Sequence, residues 1–316
     1  MDQPPPAGSA AVPPPVRPPA PDPASHPDAL PGPARVAKPA SLSAWRRVAE
    51  GVHVCVAEPD AVNLTLVVGS TGALLVDTGS TPDQGRAVRA AAQEQAGVPL
   101  VAVVVTHAHS DHAFGLAAFG DVATIGHDSV TEQLRGPLAV QAAAALGLDP
   151  ATLPGPQRGI AVAAAVDLGG RRVEVAHLGA GHTAGDLVVV VPDADVLVVG
   201  DLVESAGPPW FGPDSLPHEW AATLDGVIGL MTAGTRAVPG HGDPVDREFV
   251  FDARGRIAAV SGELTRLVDA GVPEAEALAA GDWPYPAEHV AGGIAPGYAA
   301  LSGRGVKGTR PTLPLA

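Results

Sequence analysis

The sequence carries three histidines and one aspartate within a single hexapeptide, His107-Ala108-His109-Ser110-Asp111-His112. This hexapeptide follows the apolar run Leu100 to Val105, whose composition is typical of a buried strand. A regular strand or helix cannot aim all four side chains to one side, whereas a tight loop can bring them to a common centre. The chain has 11 histidines in 316 residues, so chance does not readily explain three of them here. Because imidazole and carboxylate bind zinc, and also suit iron or manganese, the segment predicts a metal site.

Three further potential ligands lie at comparable positions along the chain. Asp201 and His241 each follow an apolar run and a glycine, and His182 lies in a glycine-rich loop between two apolar segments. Glycine permits the close backbone approach that a metal site requires. We therefore expect these three side chains to join the hexapeptide at one edge of the fold.

These residues resemble the ligand motifs of the metallo-β-lactamase superfamily in order and in spacing. Asp77, within Leu75-Val76-Asp77-Thr78-Gly79, resembles the first motif of that family, and the resemblance extends over about residues 48–250. It implies an α/β fold, a four-layer αββα sandwich with the metals at one edge. The predicted order of strands and helices, a rough two-fold repetition of strand-rich halves, agrees with two packed sheets and outer helices.

The resemblance also implies a role for each matching residue in a two-metal hydrolase. By position, His107, His109 and His182 would hold the first metal. Asp111, His112 and His241 would hold the second metal, and Asp201 would bridge both. Asp111 and Asp201 are the expected catalytic residues, Asp77 would orient the ligand loop, and the expected metals are two zinc ions per chain. A hydroxide between the metals would be the nucleophile, because two cations lower the pKa of water far below its bulk value.

These residues do not select a single branch of the family. β-Lactamases of this fold have Cys or Ser in place of Asp201 and are exported, so a β-lactamase is disfavoured here. Thioesterases similar to glyoxalase II share the aspartate, but their motif continues with Gly-Gly, whereas this chain has Asp111-His112-Ala113-Phe114-Gly115. The sequence shows no clear basic cluster that would bind glutathione. Its candidates, Arg304, Lys307 and Arg310, are spread along the Gly- and Pro-rich C-terminal segment. Iron persulfide dioxygenases share many of the ligands and usually leave one metal position unused.

Three functions therefore remain to be compared. We expect a dinuclear zinc hydrolase that acts on a small acyl ester, thioester, lactone or amide. The alternative is a mononuclear iron dioxygenase acting on a persulfide, which would hold one iron instead of two zinc ions. A non-catalytic metal-binding module fits less well, because structural zinc sites are normally closed by four ligands.

Composition excludes several partners. Lys and Arg number 19 against 34 Asp and Glu, which gives a formal net charge of -15, and only 3% of residues are aromatic. Both values argue against nucleic-acid binding, including RNA processing. The sequence has no apolar run long enough for a membrane span and no export signal, so we expect a cytoplasmic protein with a small-molecule substrate. A single cysteine, Cys55, excludes an internal disulfide and is expected in the core.

Proline and apolar patterns predict a disordered Pro-rich tail at 1–42, followed by a folded region. With the resemblance, they give a metallo-β-lactamase-like domain at 43–250 and a helical extension at 251–316 that packs on it. Strands are predicted at 51–57, 62–68, 73–76, 100–105, 172–178, 187–191, 196–199 and 236–238. Helices are predicted at 82–96, 111–119, 130–146 with a break at 136–137, 216–231, 246–270 and 273–280. The sequence from Trp283 onwards is rich in Gly and Pro and is predicted to be irregular.

The remaining histidines are not expected to be metal ligands. His53 is predicted to face solvent from a strand, His177 to pack or support a ligand, and His127 to lie at a strand end. The loop 204–220 holds a large share of the few aromatic residues and is predicted to form an apolar wall beside the metal centre. Its aromatic and imidazole side chains are Trp210, Phe211, His218 and Trp220.

Overall fold

The computed structural model describes residues 40–302. Residues 1–39 of the predicted tail lie outside this range, as do Arg304, Lys307 and Arg310. The last residues of the predicted tail are described, and Ser41–Leu42 form a strand that pairs antiparallel with Ala57 and Glu58. The ordered sheet therefore begins at Ser41, slightly before the boundary expected at residue 43.

The first sheet contains eight strands. They are β1 (Ser41–Leu42), β2 (Arg46–Ala49), β3 (Val52–Glu58), β4 (Val62–Val68), β5 (Ala73–Val76), β6 (Leu100–Val104), β7 (Ala123–His127) and β8 (Arg158–Ile160). Their order is β1-β3-β4-β5-β6-β7-β8, and β2 also pairs with β3. The strands from β5 to β8 are parallel, so the carboxyl ends of β5 and β6 lie at the same edge.

The second sheet contains five strands in the order β13-β12-β11-β10-β9. They are β9 (Ala163–Asp167), β10 (Arg172–Ala176), β11 (Val188–Val191), β12 (Val196–Gly200) and β13 (Arg236–Pro239). The strands β12 and β13 are parallel, whereas the other pairs are antiparallel. Asp201 and His241 follow β12 and β13, and the parallel pairing brings them to one edge.

Nine α-helices are described within residues 40–302. They are α1 (Pro82–Ala96), α2 (Ser110–Ala113), α3 (Val130–Gln133), α4 (Pro137–Ala145), α5 (Pro217–Leu230), α6 (Arg247–Asp269), α7 (Glu274–Ala280), α8 (Ala287–Val290) and α9 (Ile294–Ser302). The predicted bounds of α1, 82–96, are confirmed, and the helix start is capped: Thr81 Oγ1 accepts a hydrogen bond from the backbone of Gln84, and Pro82 takes the first helical position. Within the described range, no helix is both long and apolar enough to cross a membrane.

Alternating side chains on the strands build the layers. In β12, Val196 and Val198 belong to the apolar core between the two sheets. Leu197 and Val199 point the other way, into the core shared with α5, α6 and α9. On the first sheet, the outer face packs against α1 through a third core. The expected αββα sandwich is therefore confirmed, since a strand buried on both faces needs a layer on each side.

The helices beyond residue 250 pack on the second sheet's outer layer. The long helix α6 lies against α5, and α9 lies against α6. The segment after Trp283 was predicted to be irregular, and this was wrong, because it contains α8 and α9. Pro296 is tolerated because it lies in the first turn of α9, where backbone amides need no helical partner. Gly297 is required by packing, since a Cβ atom there would lie 2.6 Å from Cδ1 of Leu264.

The strands β1, β2, β8 and β9 were not predicted, and β7 was implied only by the expectation that His127 lies at a strand end. In β9 the sequence is Ala-Ala-Ala-Val-Asp, and it alternates between exposed and half-buried positions. Its short side chains carry little apolar signal, and only pairing with β10 identifies it as a strand. Such edge strands depend on their neighbour more than on their own composition.

Candidate metal centre

The predicted ligands meet at the edge where β6, β12 and β13 end. His107 and His109 lie in the loop after β6, and the short helix α2 then presents Asp111 and His112. The other three ligands come from the second sheet, His182 from the loop between β10 and β11, Asp201 from the end of β12, and His241 from the end of β13. The site thus lies between the two sheets, with each half of the fold supplying side chains.

The seven side chains form two groups. The first comprises His107, His109, His182 and Asp201, and the second comprises Asp111, His112 and His241. All are buried, and within each group the potential ligand atoms lie within 4.8 Å of one another. The division matches the one that the resemblance implied, and it brings together residues that are up to 134 positions apart (107 to 241).

Asp201 belongs to the first group and also contacts the second. Its Oδ2 is 3.5 Å from Nε2 of His182 in the first group and 3.6 Å from Nε2 of His241 in the second. Its Oδ1 is 3.3 Å from Nε2 of His112. A carboxylate in this position can offer one oxygen to each of two cations.

The charges of the site favour positive charge at the second group. Burial alone lowers the pKa of His112, but the carboxylates of Asp111, Asp201 and Asp77 outweigh burial and raise that pKa well above its usual value. Burial also lowers the pKa of His241, but the carboxylates, chiefly that of Asp201, outweigh burial and raise this pKa to about 10. In the first group, burial and the neighbouring His112 and His109 lower the pKa of His107, which keeps its imidazole neutral.

These properties fit a metal centre. Nε2 of His107 is buried and forms no hydrogen bond with any residue in the range 40–302. A buried nitrogen without a hydrogen bond is costly, and coordination of a cation by its lone pair removes the cost. The donor set of imidazoles and carboxylates suits zinc, and it also suits iron or manganese.

Asp77 contacts the ligand loop at two points. Its Oδ2 lies 2.8 Å from Nδ1 of His112, and its Oδ1 accepts a hydrogen bond of 2.8 Å from the backbone of Thr106. An aspartate that accepts from Nδ1 leaves Nε2 of the same ring available as a ligand. This is the arrangement expected for a residue that orients the loop.

Two supporting carboxylates were not assigned from the sequence. Oδ2 of Asp214 lies 3.0 Å from Nε2 of His109, which leaves Nδ1 of that ring to face His182 at 2.9 Å. Asp186 accepts hydrogen bonds from the backbone and hydroxyl of Thr183 and so fixes the loop that carries His182. Burial raises the pKa of Asp186 to about 7. The only sequence signal was position. Asp214 lies in the loop 204–220, which we call the aromatic loop, and Asp186 lies in the glycine-rich loop that carries His182.

The aromatic loop packs beside the ligands. The ring of Trp210 lies 6.1 Å from His109, and the ring of Trp220 lies 5.6 Å from His182. Phe211 is fully buried and packs against Trp220 with the ring centroids 4.8 Å apart and the planes tilted by 49°. His218 of the same loop hydrogen-bonds to Ser261 and so connects α5 with α6.

The histidines expected to be bystanders lie outside both ligand groups. His53 is half-buried in β3, not fully solvent-facing as expected. His127 and His177 stack on each other with ring centroids 4.3 Å apart. Cys55 is buried, as predicted, in the core between the first sheet and α1, and burial raises the pKa of its thiol to about 12, which makes it inert.

Comparison with known proteins agrees with this geometry. The metallo-beta-lactamase type 2 of Bacillus cereus is 26% identical over 151 residues, which cover 47% of this chain and 54% of that protein. The metallo-beta-lactamase IND-1 of Chryseobacterium indologenes is 26% identical over 185 residues, which cover 57% and 72%. The chain thus spans about half the length of the first of these curated relatives.

A solved structure shows the same fold. The metallo-beta-lactamase from Pontibacter korlensis superposes with a TM-score of 0.57 at 20% sequence identity, over 69% of this chain and 99% of that one. The family model of the metallo-beta-lactamase superfamily matches residues 57–241, which is more than half of the chain and includes all seven ligands. The chain belongs to the metallo-beta-lactamase superfamily.

Proposed function

We propose that this chain is a dinuclear zinc hydrolase of a small acyl ester, thioester, lactone or amide. The observation that carries the proposal is the position of Asp201 between two complete groups of buried ligands. A structural zinc site is normally a single ion closed by four ligands. Here one carboxylate contacts two groups of ligands, which is the pattern of a two-metal site that activates a water molecule and binds substrate between the ions.

Each group of residues has its own task in this reaction. His107, His109 and His182 would hold the first ion, and Asp111, His112 and His241 would hold the second. Two zinc ions, when bound, lower the pKa of coordinated water and polarise the scissile carbonyl. Asp201 keeps the two positions at a fixed separation, and Asp77 fixes the ring of His112 so that its Nε2 faces the centre. The buried walls, including Trp210 and Trp220, exclude bulk water from these charges.

The complete second group favours two ions over one. A mononuclear iron dioxygenase acting on a persulfide needs only one occupied position. Here Asp111 and His241 approach to 3.1 Å, and both are buried together with His112. One carboxylate and two imidazoles are a ligand set that can hold a second zinc ion, which a mononuclear enzyme does not need.

The family and the ligand set together indicate which compounds should be tested as substrates. The relatives are named as beta-lactamases, so a β-lactam belongs in the panel beside esters, thioesters, lactones and amides. Because Asp201 supplies a carboxylate between the two ion positions, we expect acyl esters or thioesters to be hydrolysed faster than the β-lactam.

Metal analysis with one variant tests the proposal. We expect the purified chain to bind close to two zinc ions, and Asp201→Asn to lose metal and most activity while circular dichroism shows a folded protein. The amide has one oxygen and no charge, so it leaves two neighbouring dications less neutralised. His53→Ala is the matched control, since His53 lies on β3 outside both ligand groups.

Two results would contradict the proposal. One iron per chain in the purified protein would favour the dioxygenase instead. Full metal content and turnover in Asp201→Asn would show that the aspartate does not bridge two ions.

A further inference from the structure

A cavity of about 330 Å³ lies directly beside the first ligand group. His109 and Ser110 line it on the side of the metal centre, and Pro213 and Asp214 line it from the aromatic loop. This volume falls in the range of small-molecule sites, about 300 to 1,000 Å³. The cavity is therefore large enough for a substrate group and adjacent to the place where chemistry is proposed.

The opposite wall of the cavity comes from α4 and is apolar. Gly136 precedes this helix in an extended conformation, and Pro137 occupies its first position. The wall consists of Pro137, Leu138, Ala139 and Ala142. Ala139 is buried and Ala142 is half-buried, and neither fills the space in front of it. Small side chains at these two positions leave the cavity open.

The polar side chains of the lining are few. Asp214 bonds to Nε2 of His109, so one polar side chain of the cavity directly contacts a ligand of the first group. Gln133 is anchored through its amide to Oγ of Ser129 at 2.8 Å. An apolar wall that faces a few fixed polar groups is the pattern of a site that binds an apolar group in one orientation.

We infer that this cavity binds the apolar arm of the substrate, with the scissile carbonyl held over the metal centre beside His109. This inference rests on the proposed hydrolase function and adds its substrate class, acyl compounds with an apolar arm. Ala139 and Ala142 set the length of arm that fits. Burial of each additional methylene then raises kcat/KM about fourfold until the cavity is full.

Two series of esters with increasing chain length test the inference. Both are assayed with the purified protein and its metal. One series varies the acyl chain of 4-nitrophenyl esters from acetyl to octanoyl, and the other varies the alcohol chain of alkyl acetates from methyl to hexyl. We expect kcat/KM to rise by about fourfold per methylene in one series, which identifies the side of the carbonyl that the cavity takes. Flat profiles in both series would overturn the inference while leaving hydrolysis established.

A matched pair of variants assigns the effect to this cavity. Ala142→Leu fills the cavity from α4, and we expect about a tenfold loss of kcat/KM for the longest chain and less than a twofold change for the shortest. Ala144→Leu is the control, because Ala144 is exposed on the same helix and does not line the cavity. Equal losses in the two variants, or no loss in Ala142→Leu, would overturn the inference.

Methyl NMR separates this inference from the hydrolase function. Protein labelled at its alanine methyl groups is titrated with 1-hexanol, which has an apolar chain and no hydrolysable bond. We expect shifts for Ala139 and Ala142 and none for Ala144. If these shifts occur and no ester is hydrolysed, the hydrolase function fails and the apolar site stands. If esters are hydrolysed and these methyl groups do not shift, the hydrolase function stands and the apolar site fails.

Discussion

Oδ2 of Asp77 lies 2.8 Å from Nδ1 of His112, and Asp77 reaches it from a left-handed backbone conformation with φ of 63°. Aspartate and asparagine adopt this conformation more readily than most residues. The position follows β5, whose carboxyl end lies beside the end of β6 that carries the ligand loop. Asp77 therefore adopts a backbone conformation that few residues tolerate, and from this position it orients the ligand His112.

Replacement of Asp77 by asparagine tests this contact without adding backbone strain. The amide cannot accept from both His112 and Thr106 as the carboxylate does, so His112 loses its fixed orientation. We expect a 10- to 100-fold weaker affinity for zinc, measured by competition with a chelating dye. Asp195→Asn is the control, since Asp195 also has a positive φ, 51°, but precedes β12 at the end away from Asp201. Equal affinities in wild type and Asp77→Asn would show that the contact does not tune the metal.

Asp214 is predicted to orient His109 through a hydrogen bond and not through its charge. Asp214→Ala removes the acceptor for Nε2, and we expect about a tenfold weaker zinc affinity. Asp214→Asn keeps an oxygen that can accept the same bond, and we expect it to restore most of the affinity. The comparison is made by zinc titration calorimetry. If the asparagine variant is as weak as the alanine variant, charge is the decisive property.

Gly240 is predicted to be essential for the position of Asp201. A Cβ atom at residue 240 would overlap Oδ1 of Asp201 and would lie 3.1 Å from Cε1 of His112. We expect Gly240→Ala to lose zinc and to unfold at lower temperature, because the added methyl group displaces the carboxylate. Elemental analysis and thermal unfolding measure both effects. Gly262→Ala in α6 has open space around it and should keep its zinc, which makes it the matched control.

Glu263 is predicted to give the C-terminal helices a pH-dependent stability. Hydrogen bonds from Arg266 lower the pKa of Glu263 from 4.5 to about 2, and its Oε1 also accepts from the backbone of Asp282 at 2.7 Å. A lowered pKa means that the stabilisation is complete above pH 4.5 and is lost as pH falls towards 2. The difference in free energy of unfolding between wild type and Glu263→Gln should therefore shrink from pH 6 to pH 3.

Urea unfolding at several pH values measures this difference. Asp252→Asn, an exposed carboxylate on the same helix, is the control and should show a smaller effect at pH 6. A difference for Glu263→Gln that stays constant from pH 6 to pH 3 would rule out the ionised carboxylate as its source.

The sequence predicted the central ligands because each carries a local signal. His107, His109, Asp111 and His112 are adjacent in the chain, and Asp201 follows a Val-rich strand that is recognisable without any partner. Strands buried on both faces and helices with clear start signals were predicted for the same reason, as in β12 and α1. In these segments, local pattern and tertiary environment favour the same structure.

Tertiary structure alone decided the features that depend on distant pairs. Asp214 meets His109 across 105 residues, and no periodicity marks either partner. The strand β9 acquires its conformation from pairing with β10, and the helix α9 contains Gly297 because close contact with Leu264 leaves little space for a Cβ atom. The cavity beside His109 exists only where α4 and the aromatic loop face each other. The sequence determined which side chains could bind a metal, and packing decided which residues orient them and what space remains for a substrate, because close packing and pairing energies depend on neighbours that are remote along the chain.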